Sequence, residues 1–214
     1  MIYRNLNPEK ALIWRIVHLN NLPWILDNGL HCANSKVKFD SYITIGNADL
    51  IDRRKSREVP IDPGGTLADY IPFYFTPFSP MLYNIHTGRG EMPKRENEEI
   101  CLLVTSLYQV NEKLKFVFTD RHAYLSTAKY FSRLDQLNEI DWLPLQERNF
   151  KRNPDNPEQF ERYQAEALIF KHMPVIALKG VICYANEVKL DLEKQVKDRG
   201  LNLRIEVISG WYFS

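Results

Sequence analysis

Short apolar runs recur along the chain, and most of them are too short for helices and are bounded by polar residues. Such runs predict buried or half-buried strands. The clearest run is 100–106 (ICLLVTS), which is apolar almost throughout. The predicted strands are 11–17, 42–45, 71–75, 100–106, 116–118, 165–170, 175–184 (as one strand or as a hairpin), 203–208 and 211–213.

Helices are predicted where apolar residues recur with helical spacing, or where start and stop residues bracket a short segment. Pro23 and Gly29 bracket one such segment, and Ser79 followed by Pro80 can begin another. The predicted helices are 20–28, 49–57 (a charged helical turn), 79–85, 123–134 and 187–199.

The many short strands interspersed with short helices predict the α+β class, with a core of packed mixed or antiparallel sheets and short flanking helices. The 214 residues fit one domain, 1–214, with a sizeable core. The sequence shows no regular βαβ alternation, no GxGxxG after a strand and no Walker loop. A Rossmann or P-loop nucleotide site is therefore not expected.

Composition narrows the class of protein. Hydrophobic residues make up 44% of the chain and charged residues 26%, which excludes a disordered tail, a collagen-like repeat and a coiled coil. Lys plus Arg number 28 and Asp plus Glu number 27, so the net charge is +1. This overall charge neither indicates nor excludes a nucleic-acid binder, because a basic face can be balanced by acids elsewhere.

The cysteines and the apolar runs allow predictions about metal binding and about the cellular compartment. Cys32, Cys101 and Cys183 are far apart and odd in number, so they predict reduced thiols rather than disulfides or a zinc site. No run approaches the roughly 20 apolar residues of a membrane span, and residues 1–10 contain no apolar signal core. We therefore expect a cytoplasmic protein without a metal and without a membrane partner.

Three polar side chains interrupt apolar strands: Arg15 in ALIWRIV, Tyr74 in IPFYF and Glu166 in AEALIF. Because an unpaired buried charge is costly, each should face solvent, a partner or a cleft. For one strand alone, the plain interpretation is that Arg15 and Glu166 face outward or pair with each other. Three such strands in one chain instead favour a cleft into which a guanidinium, an aromatic ring and a carboxylate project.

A cleft with these three groups suits NAD+. A guanidinium can contact a phosphate or ribose oxygen, and an aromatic ring can stack on the nicotinamide. A carboxylate can accept a hydrogen bond from a ribose hydroxyl and can stabilise positive charge at the anomeric carbon as nicotinamide leaves. The chemistry that such a cleft supports is ADP-ribosyl transfer or NAD+ hydrolysis.

Several segments, in chain order from about residue 11 to residue 185, resemble the DarT family of bacterial toxins that ADP-ribosylate bases in single-stranded DNA. Segment 69–86 (DYIPFYFTPFSPMLYNIH) is very close to the central motif of that family and is specific. The other matching segments are 14–30 (WRIVHLNNLPWILDNGL), 49–60 (DLIDRRKSREVP), 118–123 (FTDRHA) and 162–170 (RYQAEALIF), of which the last two are weak when taken singly.

The resemblance implies an ADP-ribosyltransferase fold related to the catalytic domain of the poly(ADP-ribose) polymerases, with NAD+ as co-substrate. By position, Arg15, Tyr74 and Glu166 fill the NAD+ signature of that superfamily, although DarT proteins often carry His where this chain has Arg15. Glu166 is then the catalytic carboxylate, which stabilises the oxocarbenium-like state and can accept the proton of the attacking base. The implied NAD+-binding residues are Arg15, Ile16, His18, Asn21, Leu30, Arg54, Tyr74 and Met81.

Arg54, the second arginine of the DRR segment, corresponds by resemblance to a catalytic arginine of the family. It would hold the pyrophosphate or stabilise the deprotonated base that attacks. Without the resemblance, segment 53–57 would be interpreted as a solvated run of charge.

DNA binding needs positive charge and stacking surfaces, and basic and aromatic residues lie near these positions in the sequence. In ADP-ribosyltransferases the loop before the glutamate usually recognises the target, so segment 148–163 should face the DNA. Each basic residue taken alone is an ordinary solvated charge, and only joint placement around one cleft would make a binding surface. The candidates are Arg53, Arg57, Tyr83, Arg89, Arg121, His122, Arg148, Lys151, Arg152 and Tyr163.

The leading hypothesis is a toxin that transfers ADP-ribose from NAD+ to a thymine ring nitrogen in single-stranded DNA, with a macrodomain antitoxin as its partner. A single strand suits this reaction because the target base must be unstacked before it can react. Guanine is the nearest rival acceptor. The sequence also leaves open transfer to RNA or protein, simple NAD+ hydrolysis, and a catalytically idle nucleic-acid-binding module.

Overall fold

The structure, a computed structural model, describes residues 2–90 and 92–214. Within these ranges the strands are β1 (Leu12–His18), β2 (Leu30–His31), β3 (Tyr70–Tyr74), β4 (Ile100–Ser106), β5 (Phe116–Thr119), β6 (Tyr130–Phe131), β7 (Glu166–Phe170), β8 (His172–Met173), β9 (Gly180–Cys183) and β10 (Arg204–Val207). The α-helices are α1 (Leu22–Asn28), α2 (Ala48–Arg53), α3 (Pro80–Thr87), α4 (Leu107–Asn111), α5 (Trp142–Glu147), α6 (Gln159–Arg162) and α7 (Asn186–Asp198). The short 3-10 turns are Leu19–Asn21, Leu67–Asp69, Asn97–Glu99, Leu134–Glu139, Val175–Ala177 and Ser209–Trp211.

Eight strands form one large sheet in the order β10-β9-β4-β1-β3-β7-β5-β6, and β2 pairs with β8 in a small second sheet. Neighbouring strands are antiparallel except β10 and β9, which are parallel. Strand β1 pairs with β4 along its whole length, but it meets β3 at one residue pair, Trp14 with Tyr74. The large sheet therefore consists of two four-stranded halves joined at one point, and the α+β class with mixed and antiparallel sheets is confirmed.

The register of β7 sets the position of the functional carboxylate. Strand β7 lies between β3 and β5, and its first residue, Glu166, is the partner of Tyr74 at the end of β3. Since Tyr74 is also the residue that meets β1, Glu166 lies next to the junction between the two halves of the sheet. Ala167, Leu168 and Ile169 of β7 are buried, which holds this strand end in place.

Gly29 ends α1 with a φ of 77°, in the left-handed region. A Cβ atom there would lie 2.6 Å from the carbonyl oxygen of Met173 and 2.7 Å from Nε2 of His172, both on β8. We expect Gly29→Ala to lower the free energy of unfolding by about 2–4 kcal/mol, because backbone strain and a clash add together. Chemical denaturation of the purified variant measures this loss.

The matched control for this prediction is Gly200→Ala. Gly200 also has a positive φ, 62°, but a Cβ atom there meets nothing within 4 Å. This variant should carry backbone strain alone, about 1–2 kcal/mol. Equal losses for the two alanine variants would show that the approach of β8 to Gly29 does not matter.

Residues 42–45 do not form the predicted strand. The side chain of Asn21 bonds both backbone groups of Ile43: the Ile43 N–H donates to Oδ1, and Nδ2 donates to the Ile43 carbonyl, each at 2.8 Å. A buried side-chain amide thus takes the place of a neighbouring strand, which the local apolar pattern does not reveal.

Residues 123–134 form turns and the short strand β6 rather than the predicted helix. Two carboxylates capture backbone N–H groups in this region: Glu166 accepts from Ala123, and Asp120 accepts from Lys129. Side chains that bond backbone groups in this way compete with helix formation. The helical spacing of apolar residues was outweighed by these contacts.

The C-terminal third of the chain also departs from the predicted pairing. Residues 175–184 form a 3-10 turn and β9 rather than one strand or a hairpin. Segment 211–213 is not a strand, because Trp211 belongs to a 3-10 turn and packs edge-on against Trp14, with ring centroids 5.7 Å apart. Strand β10 pairs with β9 instead.

The three cysteines are free and buried. In residues 2–90 and 92–214, no helix combines the length and the apolar character that crossing a membrane requires. The same residues contain no cluster of three or more His, Cys, Asp or Glu side chains arranged to hold a metal ion.

Candidate active site

A buried ion pair joins Arg54 to Glu166. Helix α2 begins after the side-chain cap of Asn47, which accepts from the Leu50 N–H, and Arg54 is its C-cap residue. Arg54 Nη1 donates to Oε2 of Glu166 at 3.0 Å and to Oε1 at 3.3 Å. The side chains are 11% and 2% exposed, so the two charges interact with little screening by solvent.

The Glu166 carboxylate has further partners in the turn after β5. The Ala123 N–H donates to Oε1 at 3.1 Å, and His122 Nδ1 lies 3.8 Å from the same oxygen. Burial alone would raise the pKa of Glu166, but the charge of Arg54 and the hydrogen bonds from Ala123 and Arg54 outweigh burial and hold the pKa below its usual value. The buried carboxylate is therefore ionised at neutral pH.

Tyr74 lies beside this pair, on β3. Its hydroxyl donates to the sulfur of Met81 at 3.0 Å, and Met81 is carried by α3, which starts at the cap of Ser79. Burial and the neighbouring charge of Glu166 raise the pKa of Tyr74, so its hydroxyl stays protonated. Residues from α2, α3, β3 and β7 thus meet at one place.

Arg15 reaches this place from the other half of the sheet. Its Nη1 donates to the Pro72 carbonyl on β3 at 2.9 Å. Among the described residues, Arg15 Nε and Arg54 Nη2 are buried and have no hydrogen-bond partner. Buried guanidinium donors normally find acceptors, so these two nitrogens fit a ligand rich in oxygen atoms.

The other predicted NAD+-binding residues have buried side chains that serve the fold. His18 Nδ1 accepts from the Asn20 N–H and so caps the turn before α1, and the amide of Asn21 bonds both backbone groups of Ile43. Ile16 and Leu30 are buried in the main hydrophobic core. Contact of Ile16, His18, Asn21 and Leu30 with NAD+ stays a prediction.

A cavity of about 490 Å³ is lined by His122, whose Nδ1 lies 3.8 Å from Glu166 Oε1, whereas Glu166 itself does not line it. Its walls combine aromatic, basic and amide side chains from the turn after β5 and from the loop and helix before β7. The lining residues are His122, Tyr124, Leu125, Arg152, Asn153, Pro154, Pro157, Phe160, Glu161 and Gln164. A slightly larger cleft of about 540 Å³ between α7 and β10 includes none of the candidate site residues, so size alone does not identify the site.

Four of the predicted DNA-binding residues are exposed on the surface: Arg53, Arg89, Lys151 and Arg152. Arg152 lines the cavity of about 490 Å³, with its guanidinium carbon 5.3 Å from the ring centroid of Phe160. Arg89 lies over the half-buried ring of Tyr83 at 5.2 Å, and Arg53 pairs with Asp49. These residues remain candidates for contact with DNA, and His122 joins them because it lines the same cavity.

The prediction that Tyr163 stacks on a base is wrong. Its side chain is 1% exposed, and its hydroxyl donates to the Phe78 carbonyl at 3.1 Å, so no ring face is free. Arg148 is likewise engaged within the protein, because its guanidinium lies over the ring of Phe78 at 3.5 Å. Their closeness to basic residues in the sequence led to the prediction that both residues contact DNA, but both side chains pack within the protein.

Two more predicted DNA contacts face inward. Arg57 Nη2 donates to the Leu125 carbonyl at 2.9 Å. The Arg121 side chain is 11% exposed and pairs with the carboxylates of Asp120, Glu158 and Glu161. These contacts direct both arginines to loops around the site rather than to phosphates, although Arg57 Nε is buried without a hydrogen-bond partner.

Several residues of the site carry no signal in the sequence. The Ala123 N–H is a backbone group, and no sequence pattern marks which amide will face a carboxylate. Tyr124, Phe160 and Gln164 line the cavity, but their positions depend on how two separate loops meet. Segments 118–123 and 162–170 both resemble the same family, and this resemblance was the sequence feature that indicated that they form one site.

Comparison with known structures identifies the class of protein as an ADP-ribosyltransferase. The chain matches the structure of Thermus sp. 2.9 DarT in complex with ADP-ribosylated ssDNA with a TM-score of 0.87 and 35% identity, covering 96% of this chain and 98% of that chain. The structure of Thermus sp. 2.9 DarT in complex with NAD+ matches with a TM-score of 0.82 and 34% identity, covering 96% and 99%.

Within this class, the chain belongs to the DarT family of DNA ADP-ribosyltransferases. The family model described as ssDNA thymidine ADP-ribosyltransferase, DarT, matches residues 14–213. A DNA ADP-ribosyl transferase of Escherichia coli O127:H6 (strain E2348/69 / EPEC) is 56% identical over 98% of this chain and 97% of that protein. The resemblance seen in the sequence and the predicted enzyme class are confirmed.

Proposed function

We propose that the chain, as one catalytic domain over residues 1–214, transfers ADP-ribose from NAD+ to a thymine ring nitrogen in single-stranded DNA and releases nicotinamide. The observation that carries this proposal is the buried ion pair of Glu166 with Arg54, which lies beside Tyr74 and close to His122, a residue that lines a cavity of about 490 Å³. Such a carboxylate is suited to a reaction in which positive charge develops on a sugar. Family membership supports the same assignment.

The donor side of the site is formed by Arg15, Arg54, Tyr74 and Met81. The buried donors without partners, Arg15 Nε and Arg54 Nη2, fit the phosphate and ribose oxygens of NAD+. The half-buried ring of Tyr74 offers an aromatic surface for the nicotinamide. We therefore assign NAD+ to the place where the two halves of the sheet meet.

The proposed reaction breaks one glycosidic bond and forms another. As the bond between the nicotinamide nitrogen and the ribose anomeric carbon breaks, its electron pair leaves with nicotinamide, and the ribose becomes oxocarbenium-like. The negative charge of Glu166 stabilises this cation. The thymine ring nitrogen supplies the electron pair of the new bond, and its proton passes to the Glu166 carboxylate.

The acceptor side is the cavity lined by Tyr124, Phe160 and Gln164. Aromatic rings stack on bases, and an amide can bond the edge of a base. Arg152 and Lys151 are exposed beside it and can contact phosphates. A base in a duplex cannot enter such a cavity without leaving its stack, so a single strand is the expected substrate.

The test is mass spectrometry of oligonucleotides after incubation with NAD+. Single strands that differ in one base should gain one ADP-ribose only when thymine is present, and duplex DNA, RNA and added protein should stay unmodified. A product on guanine would make guanine the acceptor in place of thymine. Label on protein without label on DNA, or release of ADP-ribose alone, would replace the proposal with protein modification or NAD+ hydrolysis.

We further propose that the biological role is that of a toxin whose modification a macrodomain antitoxin removes. The support is membership of the DarT family, because the resemblance to that family implies a macrodomain antitoxin as the partner. The chemistry agrees, because a modified template base would block copying of DNA.

A further inference from the structure

The turn 122–125 presents two backbone N–H groups to the site. The Ala123 N–H donates to Glu166 Oε1 at 3.1 Å, and the Tyr124 N–H donates to His122 Nδ1 at 3.2 Å. An amide can only donate, so Nδ1 of His122 is an acceptor and the ring proton lies on Nε2. The conformation of this turn therefore sets both a hydrogen bond of the carboxylate and the tautomer of the neighbouring imidazole.

Tyr130 holds the turn 122–125 in place through its hydroxyl. Its hydroxyl donates to the Ala123 carbonyl at 2.6 Å. That carbonyl and the Tyr124 N–H belong to one planar peptide group, which is thus fixed at both ends, by Tyr130 and by His122. Arg57 adds a second restraint, since its Nη2 donates to the Leu125 carbonyl at 2.9 Å.

We propose that Tyr130 is a positioning residue for the transfer reaction: its hydroxyl holds the turn 122–125 so that Ala123 donates to the Glu166 carboxylate and His122 keeps its orientation beside it. This inference rests on the proposed function. Tyr130 lies at the half-buried edge of a small core that Tyr124 also borders. It acts through the turn and touches no substrate.

The groups that face Glu166 come from every element packed against it. Arg54 follows α2, Tyr74 ends β3, and His122 and Ala123 belong to the turn after β5. Thr119, which ends β5, accepts from the backbone N–H of Glu166 and does not bond the carboxylate. Loss of the Ala123 hydrogen bond would leave the charge of Arg54 in place, so the pKa of Glu166 would rise only in part.

The test compares Tyr130→Phe with Tyr70→Phe. Tyr70 belongs to the same small core, and its hydroxyl also donates to a backbone carbonyl, that of Gly64, at 2.7 Å. Each variant thus loses one hydroxyl and one hydrogen bond to a carbonyl, but only Tyr130 acts on the turn 122–125. Both variants should therefore lose similar thermal stability.

Tyr130→Phe should lower kcat about 5- to 10-fold, the equivalent of one lost hydrogen bond, with little change in KM for NAD+. Since the carboxylate is the active form, a raised pKa of Glu166 moves the acid limb of the kcat profile to higher pH. Tyr70→Phe should match the parent enzyme in kcat and in pH profile.

A measurement without turnover separates this inference from the proposed function. Carbon-13 NMR titration of the Glu166 side-chain carboxyl, assigned with Glu166→Gln, should give a higher pKa in Tyr130→Phe and the parent value in Tyr70→Phe. Unchanged titration and unchanged kcat in a folded Tyr130→Phe would overturn the inference, whatever the acceptor proves to be. If that variant does not fold, Arg57→Lys should shift the same titration in the same direction by less, and no shift there would overturn it equally.

Discussion

Glu166→Gln is expected to reduce transfer of ADP-ribose to single-stranded DNA by about 10²- to 10³-fold in kcat, the range seen when one preorganised electrostatic group is removed. Glutamine keeps the shape of the side chain and, at the position of Oε1, an oxygen that can accept from Arg54 Nη1 and from the Ala123 N–H. It lacks the negative charge that stabilises the oxocarbenium-like sugar. The loss should therefore fall on the chemical step.

Steady-state kinetics with labelled NAD+ and a thymine-containing single strand measure this effect, and calorimetric titration measures binding of NAD+. The affinity for NAD+ should stay within a few-fold of the parent value. Glu193→Gln on α7 is the matched control, because Glu193 is far along the chain and lines the cleft that lacks site residues. Full transfer activity in Glu166→Gln would remove the basis of the proposed mechanism.

Arg54→Ala is expected to give the second-largest effect, on activity and on stability together. The variant leaves the 2% exposed carboxylate of Glu166 without its main counter-charge. Breaking a buried ion pair on one side costs about 3–5 kcal/mol in the free energy of unfolding. We also expect a loss of about 10²-fold in kcat, because Arg54 keeps Glu166 ionised and, in the proposed site, also contacts NAD+.

The pH dependence of Arg54→Ala follows from the same pair. Burial raises the pKa of Glu166, and the charge of Arg54 is the largest influence that lowers it. Without Arg54 the pKa rises, so the activity that needs a carboxylate is lost at a higher pH as the solution is acidified. The stability that ionised Glu166 contributes is present above its unfolded pKa in the parent protein and is lost as pH falls through the folded value.

A double-mutant cycle tests the origin of the loss. Arg54→Ala combined with Glu166→Gln should recover part of the stability lost in Arg54→Ala, because no unpaired carboxylate remains. Lys55→Ala, next in the chain, removes an exposed cation paired with Asp52 and should match the parent in both measurements. Strictly additive losses in the cycle would mean that the two side chains do not interact in solution.

The sequence predicted the centre of the site because its chemistry interrupts an apolar pattern. Arg15, Tyr74 and Glu166 stand out from their strands, and the structure brings all three to the junction of the sheet halves. The strand patterns could not predict that Glu166 pairs with Arg54 rather than with Arg15, because α2 is far from β7 along the chain. The family resemblance supplied Arg54.

The surroundings of the site were less predictable, because they depend on contacts between distant loops. Arg121 and Arg148 have the sequence signature of surface charges, yet acids and an aromatic ring engage them. Tyr163 and residues 123–134 were misassigned for the same reason. The local sequence pattern indicates only whether a residue of that kind is exposed on average. Whether a given residue is buried depends on the side chains of other elements that pack against it.

The order of the large sheet leaves β10 and β6 as its outer strands. Strand β6 spans two residues, and β10 spans four and carries the charged side chains of Arg204 and Glu206. Neither margin offers a second molecule a long row of unpaired backbone groups. The folded protein is thereby protected from the edge-to-edge polymerisation that a broad, flat margin of the same sheet would invite.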